Sequence, residues 1–320
     1  MLKKDSKIYI AGHKGLVGSA VLKLLKKKGY KNLFFKESKE LDLRKQVDTF
    51  NYLRKIKPEF VIICAAKVGG IRANNLRRAE FLYDNLSIQN NLIHGSFMAN
   101  VKNLIFLGSS CIYPRLAKQP IKENSILSGY LEHTNEPYAI AKIAGLKLCE
   151  NYNFQYKTNY KCIMPSNIFG PGDNYNLNDS HFLPAIIKKI YLSKLKKKKK
   201  IYFWGTGKAR REVTYVEDIS AAILFFLKKK TKESLINIGS GYENTIKGYI
   251  NLVLKRMNYK AKILFDNNKK LDGTPRKILD CSVAHRYGFY SKFKFLEGLD
   301  LTLSDFLNNK KKLQIEKKNT

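Results

Sequence analysis

The sequence predicts an α/β fold with a doubly wound parallel sheet of the Rossmann type and a smaller C-terminal α/β substrate domain. Near the start of the 320-residue chain, a glycine turn from Gly12 to Gly18 joins a short apolar run to an amphipathic helical pattern. Apolar strand-like runs then alternate with helical patterns. Two of these runs, 58–66 and 103–108, are largely apolar throughout, which is typical of parallel strands buried on both faces.

The glycine turn is the first element that indicates a ligand. It follows a strand predicted at 7–11 and precedes a helix predicted at 19–28. The spacing GxxGxxG lets the backbone approach a pyrophosphate closely and offers helix N-terminal amides to its charge. We therefore expect a dinucleotide-binding site at this turn.

The end of the second strand, 32–36, bears on which dinucleotide is bound. This class of fold commonly reads the adenosine ribose here, with an acidic residue for NAD and a basic residue for NADP. Lys36 and Glu37 stand together at this point, and Lys14 lies in the glycine turn. The two lysines favour NADP(H), while Glu37 leaves NAD as the alternative.

The rest of the chain keeps the alternation, less regularly towards its end. We predict a helix at 44–57, a strand at 58–66, a loop at 68–71, a long helix with breaks at 75–100, a strand at 103–108, a helix at 138–156 and a strand at 160–164. After residue 173 we predict a polar loop to His181, a helix to Leu195, and elements at 201–204 (strand), 218–228 (helix) and 235–238 (strand).

This pattern divides the chain into three parts. We assign 1–172 to an NADP-binding domain and 173–310 mainly to a substrate domain, with a return to the first domain around 213–240 left open. Residues 311–320 are polar and lysine-rich, so we expect them to form a disordered basic tail.

Composition excludes several classes of protein. Hydrophobic residues make up 44% of the chain, the mean hydropathy is −0.34, and no apolar run is long enough to cross a bilayer. The N-terminus leaves no room for a signal peptide before the first strand, so we expect a cytoplasmic protein with no membrane partner. The five cysteines are scattered without CxxC spacing, which predicts neither disulfides nor a metal site.

The formal net charge of +34 raises the alternative of a nucleic-acid-binding protein. The lysines, however, are spread over nearly every predicted surface segment, and no helix-turn-helix, zinc finger or aromatic RNA platform is present. We therefore expect no nucleic-acid partner. The run Lys196 to Lys200 is interpreted as a solvated loop.

Two groups of residues point to chemistry. Tyr138 and Lys142 lie four residues apart near a probable helix start, so they share one face. A nearby ammonium favours phenolate and is expected to lower the pKa of Tyr138, which suits a proton donor. Ser109 and Cys111 follow the strand at 103–108, at the carboxyl end where open parallel sheets bind ligands. Two solvated side chains and a hydroxyl-rich turn are the ordinary alternatives.

These motifs together resemble the extended short-chain dehydrogenase/reductase family. Longer strings resemble the branch of that family that acts as epimerase-reductases on GDP-sugars: 67–71, 108–114, 116–120, 134–145 and 272–277. The resemblance covers nearly everything from about Ser6 to Leu307. It implies NADPH-dependent 3,5-epimerisation and 4-reduction of GDP-4-keto-6-deoxy-D-mannose to GDP-L-fucose by a homodimer.

The resemblance also implies roles for individual residues. Ser109, Tyr138 and Lys142 would form the reductase triad, and Cys111 and His181 the acid-base pair of epimerisation. The substrate contacts implied are Lys189, Trp204, Arg211 and Asp280. The cofactor contacts implied are Gly12, His13, Lys14, Gly15, Leu16, Val17, Gly18, Lys36, Asp42, Leu107, Gly108, Ser109, Ser110, Lys142, Pro165, Ser166, Asn167, Ile168 and His181.

The chain departs from the family pattern at two of these positions. Lys14 and Lys189 stand where the family has arginine, and a lysine contacts phosphate as a point charge without bidentate hydrogen bonds. Cys111 would need a neighbouring ammonium or imidazolium to lose its proton near pH 7. Without the resemblance, Trp204 would be assigned to core packing as readily as to a ligand, and His181 and Arg211 to the surface.

Two other functions would not need all of these residues. A GDP-sugar 4-reductase, 4-epimerase or dehydratase on the same fold would not need both Cys111 and His181. A catalytically silent, basic binding protein would not need the set of Ser109, Tyr138 and Lys142. The sequence therefore favours the epimerase-reductase.

Overall fold

The structure is a computed structural model that describes residues 2–268 and 272–309. Its strands are β1 (Ile8–Ala11), β2 (Leu33–Phe34), β3 (Phe60–Ile63), β4 (Asn103–Leu107), β5 (Asn159–Pro165), β6 (Asn167–Phe169), β7 (Lys200–Phe203), β8 (Arg210–Tyr215), β9 (Leu235–Ile238), β10 (Glu243–Thr245), β11 (Lys262–Phe265) and β12 (Arg276–Lys277). Its helices are α1 (Leu16–Lys27), α2 (Gln46–Ile56), α3 (Ile71–Leu76), α4 (Arg78–Met98), α5 (Glu136–Tyr156), α6 (Phe182–Leu195), α7 (Val216–Lys228), α8 (Ile246–Arg256), α9 (Ser282–Arg286) and α10 (Phe295–Asn308).

A six-stranded parallel sheet forms the larger lobe and confirms the predicted fold class. Its strand order is β2-β1-β3-β4-β5-β9. The chain leaves β1 towards β2 on one side and then returns to add β3 on the other. The crevice outside the ends of β1 and β3 is therefore a switch point, where doubly wound sheets bind ligands.

The sheet is covered by helices on both faces, as the apolar strands predict. Along β1, Ile8 and Ile10 belong to the apolar cluster formed with α1 and α7. Tyr9 and Ala11 belong to the cluster on the other face, formed with α2, α4 and α5. Because successive side chains of a strand point to opposite faces, a strand buried on both faces needs apolar residues at every position.

The smaller lobe is built around a second, mixed sheet. Its strands lie in the order β10-β8-β12, and β6 pairs with β8. A separate apolar cluster joins these strands to α6, α8 and α10. Only Ser166 separates β5 from β6, so the two sheets meet directly behind the carboxyl end of the larger one.

The long helix predicted with breaks at 75–100 is two helices, α3 and α4, separated at Arg77, whose backbone (φ −118°, ψ 45°) is not helical. The first of them begins earlier than predicted, at Ile71. The sixth strand of the large sheet is β9, and α7 packs against α1. The domain boundaries stay a prediction, and the tail 311–320 lies outside the described residues.

A membrane-spanning helix and a metal-binding cluster are both absent from the part of the chain that the structure describes. Within 2–268 and 272–309, no helix is long and apolar enough to cross a membrane. Over the same residues, no group of three or more His, Cys, Asp or Glu side chains could hold a metal ion.

Candidate active site

The glycine turn is shaped for a ligand at its middle position. A Cβ at Gly12, whose φ is +83°, would lie 2.6 Å from the backbone nitrogen of Ala65, and one at Gly18 would lie 2.1 Å from the carbonyl oxygen of Gly12. These two glycines are thus needed for packing. A Cβ at Gly15 would meet only the Gly12 carbonyl, at 3.5 Å, so the space beside it is open.

Gly15 also begins α1, whose N-terminus carries no side-chain cap. The first amides of the helix are therefore available to an anion. Leu16 and Val17 belong to this first turn. The turn fits the pyrophosphate of a dinucleotide, as the sequence predicts.

The ribose end of the crevice holds exposed ion pairs. The Lys14 ammonium lies 2.5 Å from a carboxylate oxygen of Glu37, and that of Lys36 lies 2.7 Å from Glu40. The His13 ring packs against Phe35 with ring centroids 4.6 Å apart. Both predicted lysines thus reach this region, each already paired with a carboxylate.

Asp42 is occupied by a different partner. Its carboxylate accepts hydrogen bonds from the Arg44 side chain at 2.8 and 3.0 Å, and this guanidinium holds the pKa of Asp42 below its usual value. Its predicted role in cofactor binding stays a prediction.

Ser109 lies directly beyond β4 and caps a short 3-10 helix, Ser110–Ile112. Its Oγ accepts a hydrogen bond of 3.4 Å from the backbone nitrogen of Cys111. The hydroxyl is also a polar neighbour of the Tyr138 phenol and the Cys111 thiol, and it opposes the rise in the pKa of each. Gly108 permits the strand end to pack closely, because a Cβ there would lie 2.0 Å from the Met164 sulfur. Ser109 therefore joins the two predicted chemical groups.

Lys142 is buried beneath this cluster. Its ammonium donates a 2.8 Å hydrogen bond to the Leu107 carbonyl and lies 4.5 Å from the centroid of the Phe106 ring. The side chain is 3% exposed, and burial lowers its pKa to about 8. The ammonium is 5.8 Å from the centroid of the Tyr138 ring.

The pKa of Tyr138 is raised, and the expectation that Lys142 lowers it is not met. Burial is the largest cause, Cys111 adds to it, and the hydrogen bond with Ser109 opposes it. The physical reason is that Lys142 donates to the Leu107 carbonyl while the phenol lies in a desolvated site. Tyr138 is thus held as a neutral phenol, which is the form that can donate a proton.

Cys111 is 7% exposed, and burial raises the pKa of its thiol. The largest opposing charge is the ammonium of Lys277, ahead of the Ser109 hydrogen bond and of Lys142. The predicted ammonium neighbour is therefore present, and it is a residue that the sequence analysis did not select.

His181 is placed by a close contact between two loops. The backbone nitrogen of Gly70 donates to the Asp179 carbonyl at 3.0 Å, and a Cβ at Gly70 would lie 2.5 Å from the Ser180 carbonyl. Arg77 forms an ion pair with Asp179. His181 follows as the residue before α6 and is exposed overall, while protein packed near its ring lowers its pKa by desolvation.

Arg211 and Lys277 form the cationic side of the cleft. They are register partners on β8 and β12. Arg211 donates a 2.8 Å hydrogen bond to the Asp272 carbonyl, and Glu132 is a further charged neighbour of both cations. Burial lowers the pKa of Arg211 to about 10 and that of Lys277 to about 8.

The remaining predicted substrate contacts are Lys189, Trp204 and Asp280. The Lys189 ammonium lies 5.9 Å from the centroid of the Trp204 ring, and Trp204 is 57% exposed, so it is not a core residue. Asp280 lies in the connection between β12 and α9. Its carboxylate accepts a 2.8 Å hydrogen bond from the Ser282 nitrogen, and its cationic neighbours are Lys122 and His285.

The carboxylates beside Arg211 are Asp272 and Glu132. The role of Asp280 as a substrate contact stays a prediction. Lys277 and Asp272 both lie within the string 272–277 that supported the family resemblance. That string was the one signal that could have identified them.

The segment Pro165 to Ile168 runs from the large sheet into the small one. Ser166 shares a hydroxyl hydrogen bond of 2.7 Å with Thr214, and the Asn167 amide donates to the Glu212 carbonyl at 2.9 Å. These contacts fix the predicted cofactor segment against β8, the strand that carries Arg211.

The dinucleotide turn, the serine, tyrosine and lysine cluster and the adjoining cationic cleft define a nucleotide-dependent enzyme of the short-chain dehydrogenase/reductase type. Comparison with known families agrees: the model of the NAD dependent epimerase/dehydratase family matches residues 8–239. The chain belongs to this family.

Individual relatives are similar over nearly their whole length. The GDP-L-fucose synthase of Escherichia coli (strain K12) is 41% identical over 312 residues, covering 95% of this chain and 97% of that protein. A GDP-mannoheptose C4 reductase from Campylobacter jejuni, solved with NADP, is 35% identical with a TM-score of 0.87 and covers 96% of this chain and 100% of its own. A Naegleria fowleri GDP-L-fucose synthetase bound to NADP is 26% identical with a TM-score of 0.87, covering 97% of each chain.

Proposed function

We propose that this protein is an NADPH-dependent enzyme that converts GDP-4-keto-6-deoxy-D-mannose to GDP-L-fucose by 3,5-epimerisation and 4-reduction. The observation that carries the proposal is that the Ser109 hydroxyl is a polar neighbour of both the Tyr138 phenol and the Cys111 thiol, which also influence each other's charge. One group suited to reduction and one suited to epimerisation thus lie beside the same hydroxyl. The names of the relatives support the substrate class.

NADP(H) supplies the hydride when it is bound. The glycine turn from Gly12 to Gly18 would hold its pyrophosphate, and Lys14 and Lys36 are the cations available to a ribose phosphate. Residues 165–168 and 107–110 approach the same crevice from the ends of β5 and β4.

Reduction at C4 of the sugar needs a proton for the developing alkoxide. Tyr138, kept neutral by burial, donates this proton to O4, and Ser109 donates a hydrogen bond to the same oxygen. Lys142 lies beneath the pair, anchored on the Leu107 carbonyl. It orients the site and provides positive charge to the oxygen as the phenol loses its proton.

Epimerisation uses the acidity that the 4-keto group gives to the hydrogens at C3 and C5. Cys111 removes each proton once its thiol has lost its own. Burial raises the pKa of that thiol, and the Lys277 ammonium is the largest charge that opposes the rise. Ser109 and Tyr138 stabilise the enolate oxygen by hydrogen bonds. His181 returns the proton on the opposite face.

The GDP portion of the substrate matches the charge of the cleft. Arg211 and Lys277 are half-buried cations, and the carboxylates near them are Asp272, beside Arg211, and Glu132, beside both. A diphosphate would add negative charge to this pair of cations. Trp204 offers an exposed aromatic face next to Lys189.

The alternative of a 4-reductase without epimerisation has support from the Campylobacter jejuni relative, whose name specifies reduction at C4. One assay separates the two functions. The protein is given NADPH and GDP-4-keto-6-deoxy-D-mannose in heavy water, and the product is identified by NMR. We expect GDP-L-fucose with deuterium at C3 and C5, whereas an unepimerised GDP-6-deoxy-sugar without deuterium at these carbons would establish the alternative.

We also propose a homodimer that forms through α4 and α5. Large apolar side chains are exposed on these helices, among them Tyr83 (70%), Met98 (51%), Ile140 (44%) and Phe154 (81%). Sedimentation analysis of the wild type and of Tyr83→Lys tests this: a monomer in both, or a dimer in both, would contradict the proposed interface. The cytoplasmic location stays a prediction.

A further inference from the structure

Glu212 is a buried carboxylate for which the proposed chemistry has no use. It lies on β8 next to Arg211 and is 0% exposed. A carboxylate in the interior is costly unless hydrogen bonds compensate for the lost water. Its two oxygens accept hydrogen bonds from the backbone nitrogens of Gly241 at 2.8 Å and Leu279 at 2.9 Å.

The backbone around Glu212 leaves room for this arrangement. A Cβ at Gly239 would lie 2.2 Å from one of the Glu212 carboxylate oxygens, so a larger residue there would displace the carboxylate. The backbone of Ser240 also donates towards it.

The partners of Glu212 belong to segments that are distant in sequence. Gly241 lies in the connection that follows β9, the last strand of the large sheet. Leu279 lies two residues after Lys277. The backbone carbonyl of Glu212 accepts the 2.9 Å hydrogen bond from the Asn167 side chain. A single residue therefore connects the strand of Arg211 to the Lys277 segment and to two segments beside the cofactor crevice.

The hydrogen bonds of Glu212 oppose the repulsion between the like charges of Arg211 and Lys277. Arg211 and Lys277 are register partners that bring like charges together in a partly buried cleft. The strand β12 that carries Lys277 is only two residues long, so its own pairing with β8 provides few hydrogen bonds. The hydrogen bond from Leu279 to Glu212 fastens the same segment immediately beyond β12.

We propose that Glu212 is a positioning residue that holds the Lys277 segment against β8, so that Arg211 and Lys277 together bind the diphosphate of the GDP-sugar. The inference rests on the proposed substrate class. It predicts that Glu212 controls affinity for GDP without touching it, and that it has little effect on the dinucleotide turn at Gly12 to Gly18.

The chain contains a matched control. Asp218, on α7, is 2% exposed and likewise accepts two backbone hydrogen bonds, from Lys292 at 2.9 Å and Phe293 at 3.1 Å. Neither partner belongs to the candidate site. Glu212→Gln and Asp218→Asn therefore make the same change, from carboxylate to amide, at one position connected to the candidate site and at one position away from it.

The experiment compares Glu212→Gln with Asp218→Asn by calorimetric titration with GDP and with NADPH, and by thermal unfolding. We expect both variants to lower the Tm. Only Glu212→Gln should weaken GDP binding, roughly 10- to 100-fold, since glutamine has one acceptor oxygen and a buried backbone N–H left without a partner costs about 1–3 kcal/mol. Its NADPH affinity should stay within about twofold of the wild type, because the Asn167 side chain bonds to the backbone carbonyl of residue 212, which the substitution retains.

Gly239→Ala provides a second route if Glu212→Gln does not fold, because it displaces the carboxylate without changing its charge. We expect the same selective loss of GDP affinity. Unchanged GDP affinity in Glu212→Gln, or in Gly239→Ala, would overturn the inference, as would an equal loss in Asp218→Asn.

GDP binding needs no turnover, so the proposed reaction can fail separately. If the wild type binds GDP but forms no GDP-L-fucose, the proposed reaction is refuted. The GDP affinities of the variants then still decide whether Glu212 is a positioning residue. A wild type that does not bind GDP would overturn both.

Discussion

Two charged regions of this protein differ in how far their charges are exposed to water: the predicted ribose site at Lys14 and the cleft beside Cys111. At the ribose end, Lys14 and Glu37 form an ion pair with 66% and 30% of their side chains exposed. In the cleft beside Cys111, the cations Arg211 and Lys277 are surrounded by protein, and burial lowers the pKa of each. Exposed pairs contribute about 0–1 kcal/mol, whereas a buried charge that loses its partner costs several times more. Substitutions in the cleft should therefore have much larger effects than those at the ribose.

The largest effect is expected at Tyr138. Tyr138→Phe removes the general acid, so kcat for reduction should fall ~10²- to 10⁴-fold while NADPH affinity stays nearly unchanged. Single-turnover oxidation of NADPH measures the step, and Tyr130→Phe, at a position that is 96% exposed, is the control. Ordinary turnover in the Tyr138 variant, with chemistry rate-limiting, would show that another group donates the proton.

Cys111→Ser should separate epimerisation from reduction. With its thiol gone, deuterium from heavy water should no longer enter C3 and C5, while Tyr138 and Lys142 still reduce the bound ketone slowly to an unepimerised product. Cys64 is the matched control, since its thiol also lies near the Lys142 ammonium. Exchange that persists in Cys111→Ser but stops in Cys64→Ser would assign the base to Cys64.

Substitution of His181 tests the return of the proton to the sugar. His181→Asn should leave proton abstraction by Cys111 intact and impair the inverted return. Deuterium then enters the sugar without net epimerisation. An unchanged yield of the epimerised product would remove His181 from the mechanism.

An intermediate effect is expected at Lys277. Lys277→Met should raise the KM for the GDP-sugar roughly 10- to 100-fold, because a charge-assisted hydrogen bond in a desolvated cleft is lost. Arg276→Met, at an exposed neighbour paired with Glu243, should leave KM nearly unchanged. Equal KM values in the two variants would contradict the assignment of Lys277 to the substrate.

The same residue predicts a pH dependence. Lys277 has a pKa of about 8 and binds an anion only when protonated, so the wild-type KM should rise as the pH increases through that value. Lys277→Arg should keep its charge and shift or abolish this rise. If KM rises identically with pH in the wild type and in Lys277→Arg, the titrating group is not Lys277.

The smallest effect is expected at Lys36. Its pair with Glu40 is exposed on both sides, so Lys36→Glu should reduce the preference for NADPH over NADH by roughly two- to fivefold. The ratio of kcat/KM for the two cofactors measures it, with Lys39→Glu as the comparison. A wild type that uses NADH equally well would show that Glu37 determines the ribose site.

Much of the fold follows from local patterns in the sequence. The glycine turn, the four-residue spacing of Tyr138 and Lys142, and the strand at 235–238 depend on neighbours in the chain, and the structure places them where the sequence does. The pairing of Arg211 with Lys277 depends instead on the register between β8 and β12, which are separated by more than sixty residues. No periodicity encodes that register, so the sequence alone does not identify Lys277 as a neighbour of Arg211.

The direction of the Tyr138 pKa shift was wrong for a related reason. Spacing on a helix predicts which side chains are neighbours, but burial depends on everything that packs around them. Lys142 turns to the Leu107 carbonyl, at the end of a strand that no pattern in the helix reveals. Desolvation of the phenol is then the largest cause of the shift, and it raises the pKa of Tyr138.

The position of β9 determines when this molecule can assemble during synthesis. The last strand of the large sheet leaves the ribosome well after the glycine turn, and α7, which packs against α1, comes just before it. Until residue 238 has emerged, the edge of β5 has no partner and one face of β1 lacks its covering helix. Nascent chains arrested shortly before and shortly after β9 should therefore differ sharply in protease resistance, and cofactor capture should begin only with the longer chain.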